Sequence, residues 1–481
     1  MAFWGSITTH SPGGPSGPSQ QLALVLLAMT LLGCGAARPS QDSDTSRLRV
    51  GTSGDYAPFS IAGAGSWNAG GRRPATPPTG FDPAVASAYA ADRGLAIEWV
   101  RFRWPDLLAD LAADRFDVAM SGVTVRPDRS LAGRFSVPVC ETGALLLIDP
   151  QAGVFRDLDL RAGPPLAGSP VGTPRAGISH TEIDRRAVRI AVNAGGHLER
   201  VTRRHFPNAS VIAVSDNRAV LEKVLSGNAD AAATDTQEVL SWAARAPALE
   251  TWGPFTRDQK AYLWGPDREG LADDLDDWLQ ESEANGRLAR LRSEYLAGDQ
   301  TALSTGLPAL VGGIAERLAL MPMVAEAKRL SGDPIEVPER EERVIQAGQL
   351  RTREIARKLG IPAPDAAGVR ALFRAQIEAA KAIQRAVLAG PPTLENPPDL
   401  ASELRPALIR IGNRTAGLIV GLQAEPQADR RDESTRHDSV LAMTRAALAP
   451  YGLEDSHVDA IAAAVAALSS TRSALDDAGE L

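Results

Sequence analysis

From Leu48 the chain alternates two kinds of hydrophobic pattern. Short apolar runs, LRVGTS, AIEWVRF, FDVAMSGV and ALLLID, read as strands. Between them PAVASAYAADRG and WPDLLADLAADR repeat apolar residues at helical spacing, and the first ends on Gly94, a suitable left-handed C-cap. Residues 62–79 are rich in Gly and Pro and predict a surface insertion, as does the loop that runs on to about Arg186. A second unit starts at VRIAVNAGG: strand, glycine turn, helix HLERVTRRHF, strand SVIAVS, helix NRAVLEKVLSG, strand ADAAATD. YLWG and the helix LADDLDDWLQESEANGRLARLRSEYL complete it. This alternation predicts parallel α/β sheets.

After a polar linker at 297–305, strand signals nearly vanish. The segments 306–332, 336–359, 365–389 and 399–423 carry helical periodicity and are separated by prolines such as Pro362, Pro364, Pro391, Pro392, Pro397 and Pro398. The Ala-rich stretch 436–475 is helical as well. A chain of 481 residues can hold separate cores for an α/β domain at 47–296 and an all-α domain at 306–475.

The amino-terminal run LALVLLAMTLLGC, Leu22 to Cys34, is too short to span a bilayer and has the length of a signal-peptide core. Leu31-Leu32-Gly33-Cys34 fits a lipoprotein cleavage pattern, although no Lys or Arg precedes it. Residues 1–34 are therefore expected to be a signal with lipidation on Cys34, and 35–46 a tether. The protein would be exported, periplasmic or membrane-anchored through that lipid alone. A lipidated Cys34 leaves Cys140 without a disulfide partner, and Cys140 follows as a small buried residue.

A net charge of −8 argues against a nucleic-acid partner, so an anion site must concentrate its cations locally. Only five of the 51 cationic residues are lysines, which draws notice to Lys260 and Lys328. No Cys/His metal cluster or nucleotide fingerprint is present in the sequence, so no cofactor is expected. Oligomeric state is left open.

The order GTSGDYAPF, a WP-helix and FDVAMSGVTVRPDRS resembles periplasmic amino-acid-binding proteins, which have two lobes around a ligand cleft. That resemblance implies that Arg129 pairs with a ligand carboxylate, as bidentate guanidinium recognition suits, and that Asp235 in ATDTQE meets the ligand's ammonium. GDYAPF (54–59), WP (104–105), AMSGV (119–123), VNAGGHLER (192–200) and QKAYL (259–263) further resemble cyclohexadienyl dehydratase, the catalytic offshoot of this family. That enzyme turns prephenate into phenylpyruvate and usually arogenate into phenylalanine. Its chemistry needs a general acid for the departing hydroxyl, a role the resemblance gives to Glu199. A protonated Glu199 would need an apolar setting, for which Tyr56 and Trp104 could form the wall. Thr124 lies in the binding motif. The Asn193–Gly196 turn would offer backbone N–H groups, and Lys260 a second carboxylate contact. His197 stands where a small hydroxyl residue is expected, with consequences for substrate preference or pH optimum. The bland alternative for Glu199 is a first-turn residue that favours the helix dipole.

IAERLALMPMVAEAKRLSGDPIEVPEREERV and LFRAQIEAAKAIQ resemble the secreted class of all-helical chorismate mutases. Lys328 follows Arg317 by eleven residues, and Arg340-Glu341 begins twelve residues after Lys328. Chorismate carries two carboxylates and rearranges without a covalent intermediate, so the task is orientation and electrostatic preorganisation. The resemblance implies that Arg317, Arg340 and Arg405 hold carboxylates, that Lys328 and Gln384 donate to the ether oxygen, and that Glu341 takes the ring hydroxyl. Gln376, Ala380 and Gln384 share one helical face. Ala380 stands where relatives often carry Ser or Thr, and Val344 where some place an amide. Gln384, being neutral, should free the mutase from any need for acid.

The expectation is thus a multidomain protein, a two-lobed α/β domain followed by an all-α mutase domain, with chorismate and prephenate as substrates. The rival expectation is an amino-acid or organic-acid solute-binding lipoprotein fused to a helical domain with one activity or none.

Overall fold

The computed structural model describes residues 47–62, 67, 74–156, 180–296, 306–424 and 433–470. The expected signal, tether and linker, and the lipidation of Cys34, lie outside the described residues.

Two five-stranded sheets form two lobes. The first runs in the order Ala96–Arg101, Arg47–Thr52, Val118–Ala119, Leu263–Trp264, Arg134–Phe135. The second runs Ser210–Val214, Arg189–Asn193, Ala231–Asp235, Ala144–Ile148, Glu250–Trp252. Three neighbouring strands in each are parallel, with crossovers on the helices that the sequence periodicity marks. The expectation of purely parallel sheets is corrected: Leu263–Trp264 and Ala144–Ile148 are antiparallel to both neighbours. The chain leaves the first lobe and later returns to it, so each sheet gains a strand that no crossover helix delivers. The two crossing segments, Cys140–Thr142 and Asp258–Lys260, pair antiparallel, with Lys260 opposite Cys140.

Asp258–Lys260 is a short strand with two uses. Side chains alternate across a strand, so Asp258 and Lys260 share one face and Gln259 takes the other. Gln259 Nε2 donates to the carbonyls of Pro308 (2.8 Å) and Ala309 (3.3 Å), at the start of the helix Leu307–Ala319. A Cβ on Gly312 would lie 2.1 Å from that amide, so a larger residue there would push the Gln259 side chain aside.

Beyond residue 306 every described element is helical: Leu307–Ala319, Met321–Ser331, Pro338–Leu359, Ala366–Ala389, Arg405–Ala424, Glu433–Leu448 and Asp455–Ser470, with short turns of 3₁₀ or π type at Ala449–Tyr451 and Leu400–Leu404. Three segments that read as single helices are split. Leu320 and Pro322 divide the first, the left-handed Gly286 divides Glu269–Ala284 from Arg287–Tyr295, and Pro450 with Gly452 divides the last.

The expectation of separate cores is also corrected. The described residues form one compact unit, and one apolar cluster holds Val137, Leu275 and Leu279 of the first lobe with Leu310, Ile314 and Leu418 of the helical part. Polar contacts reinforce it. Arg410 donates to the carbonyls of Ser130 (3.0 Å), Leu131 (3.2 Å) and Gly133 (3.2 Å), closing the end of the short helix Pro127–Ala132. Glu316 accepts from Ser130 Oγ and pairs with Arg414, both acid and guanidinium being almost fully buried. Arg351 reaches Asp273 at 2.6 Å and Lys358 reaches Asp277 at 3.4 Å.

Breaking the Glu316–Arg414 pair leaves a buried cation without its partner, which costs about 3–5 kcal/mol. Glu316→Ala is expected to lower the melting temperature of the whole chain in one transition, since the first lobe and the bundle share a core. Calorimetry checks this. Two separate transitions, only one of them shifted, would mean the two parts are independent.

Candidate active sites

A cleft with polar and apolar walls lies between the two lobes. Tyr56, Trp104, Gly122, Thr124, Arg129 and Lys260 line it from the first lobe and hinge; Asn193, Gly196, His197, Leu198 and Asn217 line it from the second. Each sits where a strand ends or a helix starts, the position at which open α/β sheets present ligand-binding groups. Gly122 has φ +62° and lies under the Tyr56 ring, where a Cβ would come within 2.7 Å of Cε1. Its N–H is held by the buried Asp82, whose carboxyl burial pushes up to about 7.

Arg129 is 1% exposed. Its Nη1 donates to Thr124 O at 2.8 Å, its guanidinium lies 5.9 Å from the centre of the Trp104 ring, and its Nε has no hydrogen-bond partner. No carboxylate pairs with it among the described residues, and burial pushes its pKa down to about 9. A buried cation in this condition is poised for an anion.

Lys260 is paired instead. Its Nζ donates to Tyr56 Oη (2.9 Å) and Thr124 Oγ1 (2.9 Å) and lies 3.3 Å from Asp235 Oδ2. Asp235 also accepts from Tyr56 Oη and, through Oδ1, from the N–H groups of Gln237 (2.9 Å) and Glu238 (3.0 Å). The chain's own ammonium therefore stands where a ligand ammonium was expected.

Glu199 lies in the first turn of the helix His197–His205. It is absent from the cleft lining; its carboxylate accepts from Gly195 N–H at 2.7 Å and pairs with Arg203 at 2.8 Å, one turn on. Burial alone would raise its carboxyl, but these two partners outweigh it and hold the pKa below the ordinary value. In this arrangement Glu199 also complements the helix dipole. Sequence reasoning missed Asn217, Leu198, Gly122 and Asp258. Asn217 carried a usable signal, since it opens the turn right after the strand Ser210–Val214. It donates to Asp55 O at 3.1 Å across the cleft.

The helical part collects the second set on mutually packed helices. Lys328 Nζ donates to Ile335 O at 3.3 Å, and burial followed by the nearby Arg340 lowers its pKa, with Asp333, Arg405 and Glu341 also close enough to act on it. Arg405 pairs with Asp333 at 3.0 Å. Glu341 pairs with Lys381 at 3.3 Å, a buried lysine that the sequence reading left aside. Arg317 donates to Leu408 O at 3.4 Å, one turn beyond Arg405, and burial pushes it down to about 10. Among the described residues no carboxylate pairs with Arg317, Lys328 or Arg340. Gln376, Ala380 and Gln384 are all buried on the helix Ala366–Ala389. Both side-chain polar atoms of Gln376 and the Oε1 of Gln384 lack partners, while Gln384 Nε2 donates to Ala380 O at 3.1 Å. Val344 is packed against the apolar cluster.

Residues 48–298 match the family described as bacterial extracellular solute-binding proteins, family 3, and residues 309–385 match chorismate mutase type II. Arg405 lies beyond the second match. Cyclohexadienyl dehydratase of Pseudomonas aeruginosa is 30% identical over 276 residues, 56% of this chain and 90% of that protein. The arginine-binding extracellular protein ArtP of Bacillus subtilis is 22% identical over 279 residues, 58% of this chain and 97% of that one. Among solved structures, an ancestral amino acid-binding protein described as a precursor of cyclohexadienyl dehydratase aligns with 52% of this chain and 96% of its own, at 25% identity and a TM-score of 0.43. The chain belongs to family 3 of the bacterial extracellular solute-binding proteins and carries a chorismate mutase type II domain behind that fold.

Proposed function

We propose that the protein is an exported bifunctional enzyme: the helical site rearranges chorismate to prephenate, and the cleft converts prephenate to phenylpyruvate, CO2 and water. The observations that carry the cleft reading are a buried Arg129 in the lining and an Asp235 that Lys260 already neutralises. An amino-acid ligand brings an ammonium that would have to displace Lys260 from Asp235, uncovering a buried cation. A dicarboxylate without an amine makes no such demand. It can place one carboxylate on Arg129 and the other near Lys260 and the N–H groups of the Asn193–Gly196 turn. The same reasoning favours prephenate over arogenate.

Among the described residues of the helical site Arg317, Arg340 and Lys328 are cations without carboxylate partners, and Gln376 and Gln384 hold unused polar atoms. This supports binding of a compact, doubly anionic substrate and stabilisation of negative charge on its breaking ether oxygen. Arg405 and Glu341 complete the set, with Lys381 orienting Glu341.

The test is to supply prephenate to the purified chain and follow phenylpyruvate by its absorbance in alkali. Phenylpyruvate formation is expected, together with little heat of binding for arginine or cystine. Intact prephenate with tight amino-acid binding would favour the solute-binding alternative.

A further inference from the structure

The helix Pro127–Ala132, which carries Arg129, has six residues and is too short to hold its own shape in water. Arg129 gives it little support. Its Nη1 donates to Thr124 O at 2.8 Å, within the same segment, and its Nε has no hydrogen-bond partner among the described residues. The direction of the guanidinium is therefore set by whatever holds residues 124–133. We propose that the helical part aims Arg129 at the substrate carboxylate, with Arg410 and Gln259 as positioning residues at the two ends of that segment; this rests on the reading of Arg129 given above.

At the carboxyl end stands Arg410, on the helix Arg405–Ala424. Its Nη2 donates to Ser130 O (3.0 Å) and Leu131 O (3.2 Å), and its Nε to Gly133 O (3.2 Å). The last carbonyls of a helix lack partners within it and carry partial negative charge, so a guanidinium fork caps them well. Ser130, next to Arg129 in the chain, donates from Oγ to Glu316, which Arg414 holds in turn.

At the amino end the segment is tied to the hinge strand Asp258–Lys260. Val125 N–H donates to Gln259 O at 2.9 Å, and Thr124 bridges Lys260. The Gln259 side chain then donates to Pro308 O and Ala309 O of the helix Leu307–Ala319. Both ends thus depend on the two helices that also carry Arg317 and Arg405. Two further charges touch the segment. Arg126 pairs with Asp128 inside it at 2.6 Å, and Arg200 of the second lobe reaches the same carboxylate at 2.9 Å. The Arg200 side chain is 59% exposed, so its ion pair is a weak restraint beside three carbonyl contacts from one half-buried guanidinium.

The test compares Arg410→Ala, Arg410→Lys and Gln259→Ala with the wild type in the full chain. It measures kcat and KM for prephenate, chorismate turnover and melting temperature. Arg410→Ala should raise KM for prephenate roughly tenfold and leave kcat within about threefold, because it loosens a binding contact and not the chemistry. Chorismate turnover should stay within about twofold. Arg410→Lys keeps a cation without the fork and should fall in between. Gln259→Ala should raise the same KM by roughly threefold. In an Arg129→Ala background, Arg410→Ala should change the residual kcat/KM by no more than about twofold, since it acts through Arg129. Should Arg410→Ala fail to fold, Arg410→Lys and Gln259→Ala carry the same comparison.

An unchanged KM for prephenate overturns the assignment and leaves the dehydratase reading intact. So does a parallel fall of kcat, chorismate turnover and melting temperature, which marks a general support of the fold. A wild-type chain that binds prephenate in a calorimetric titration without converting it overturns the dehydratase reading alone, and its Kd then takes the place of KM. A wild-type chain that neither binds nor converts prephenate overturns both.

Discussion

Arg129→Ala is expected to abolish prephenate conversion in the cleft while leaving the protein at least as stable. Charge-assisted hydrogen bonds contribute about 1.5–3 kcal/mol each, so loss of a two-pronged carboxylate contact predicts a fall of roughly 10²–10⁴-fold in kcat/KM. The stability half of the prediction follows from the same burial. A base whose folded pKa is depressed, here to about 9, costs the fold most at pH values below 9, where it must stay charged. Stability should accordingly rise as pH climbs from 9 toward the guanidinium's ordinary value. At neutral pH the alanine variant removes that cost, on the order of a few kcal/mol, against the cavity it opens. Thermal melts beside steady-state kinetics decide the matter: a residue that merely supports the fold would lose stability and activity together.

Arg340→Ala is expected to stop chorismate consumption and to spare conversion of added prephenate. Arg340 has no carboxylate partner among the described residues, and it is close enough to Lys328 to lower that ammonium's pKa. Two cations held this near one another cost energy unless an anion sits between them. Removing one contact that strengthens in the transition state predicts a loss of about 10²-fold or more in mutase kcat/KM. The Lys328 pKa should rise toward its ordinary value in the variant, so mutase and titration measurements test one geometry from two sides. Unchanged chorismate turnover would remove the helical site as drawn.

The elements were legible from hydrophobic periodicity, and the candidate residues from motifs that resemble two known families. Arg317, Lys328 and Arg340 lie at intervals that keep them on packed helices, and the glycine turn before His197 announces a strand giving way to a helix. Eight of the cleft-lining residues, Tyr56, Trp104, Thr124, Arg129, Asn193, Gly196, His197 and Lys260, were named as candidates from the motifs that carry the family resemblance. What spacing cannot carry is a rotamer. Glu199 is four residues beyond Gly195, near enough to cap its own helix, and nothing in the sequence tells that orientation from one facing the cleft. Partner identity across long separations is equally silent. Asp258 meets His197 and Lys260 meets Asp235 only because the chain returns through the hinge, and the same return strand sends Gln259 into the helical bundle. The shared core was missed for a related reason: Glu316, Arg410 and Arg414 read as ordinary helix residues until the helix Pro127–Ala132 is packed against them.

The most direct test offers chorismate as the sole substrate to the purified chain and records chorismate, prephenate and phenylpyruvate over time. The account predicts that chorismate falls, prephenate rises and decays, and phenylpyruvate appears after a lag. Chorismate left unconsumed, or prephenate that accumulates without any aromatic product, would contradict it.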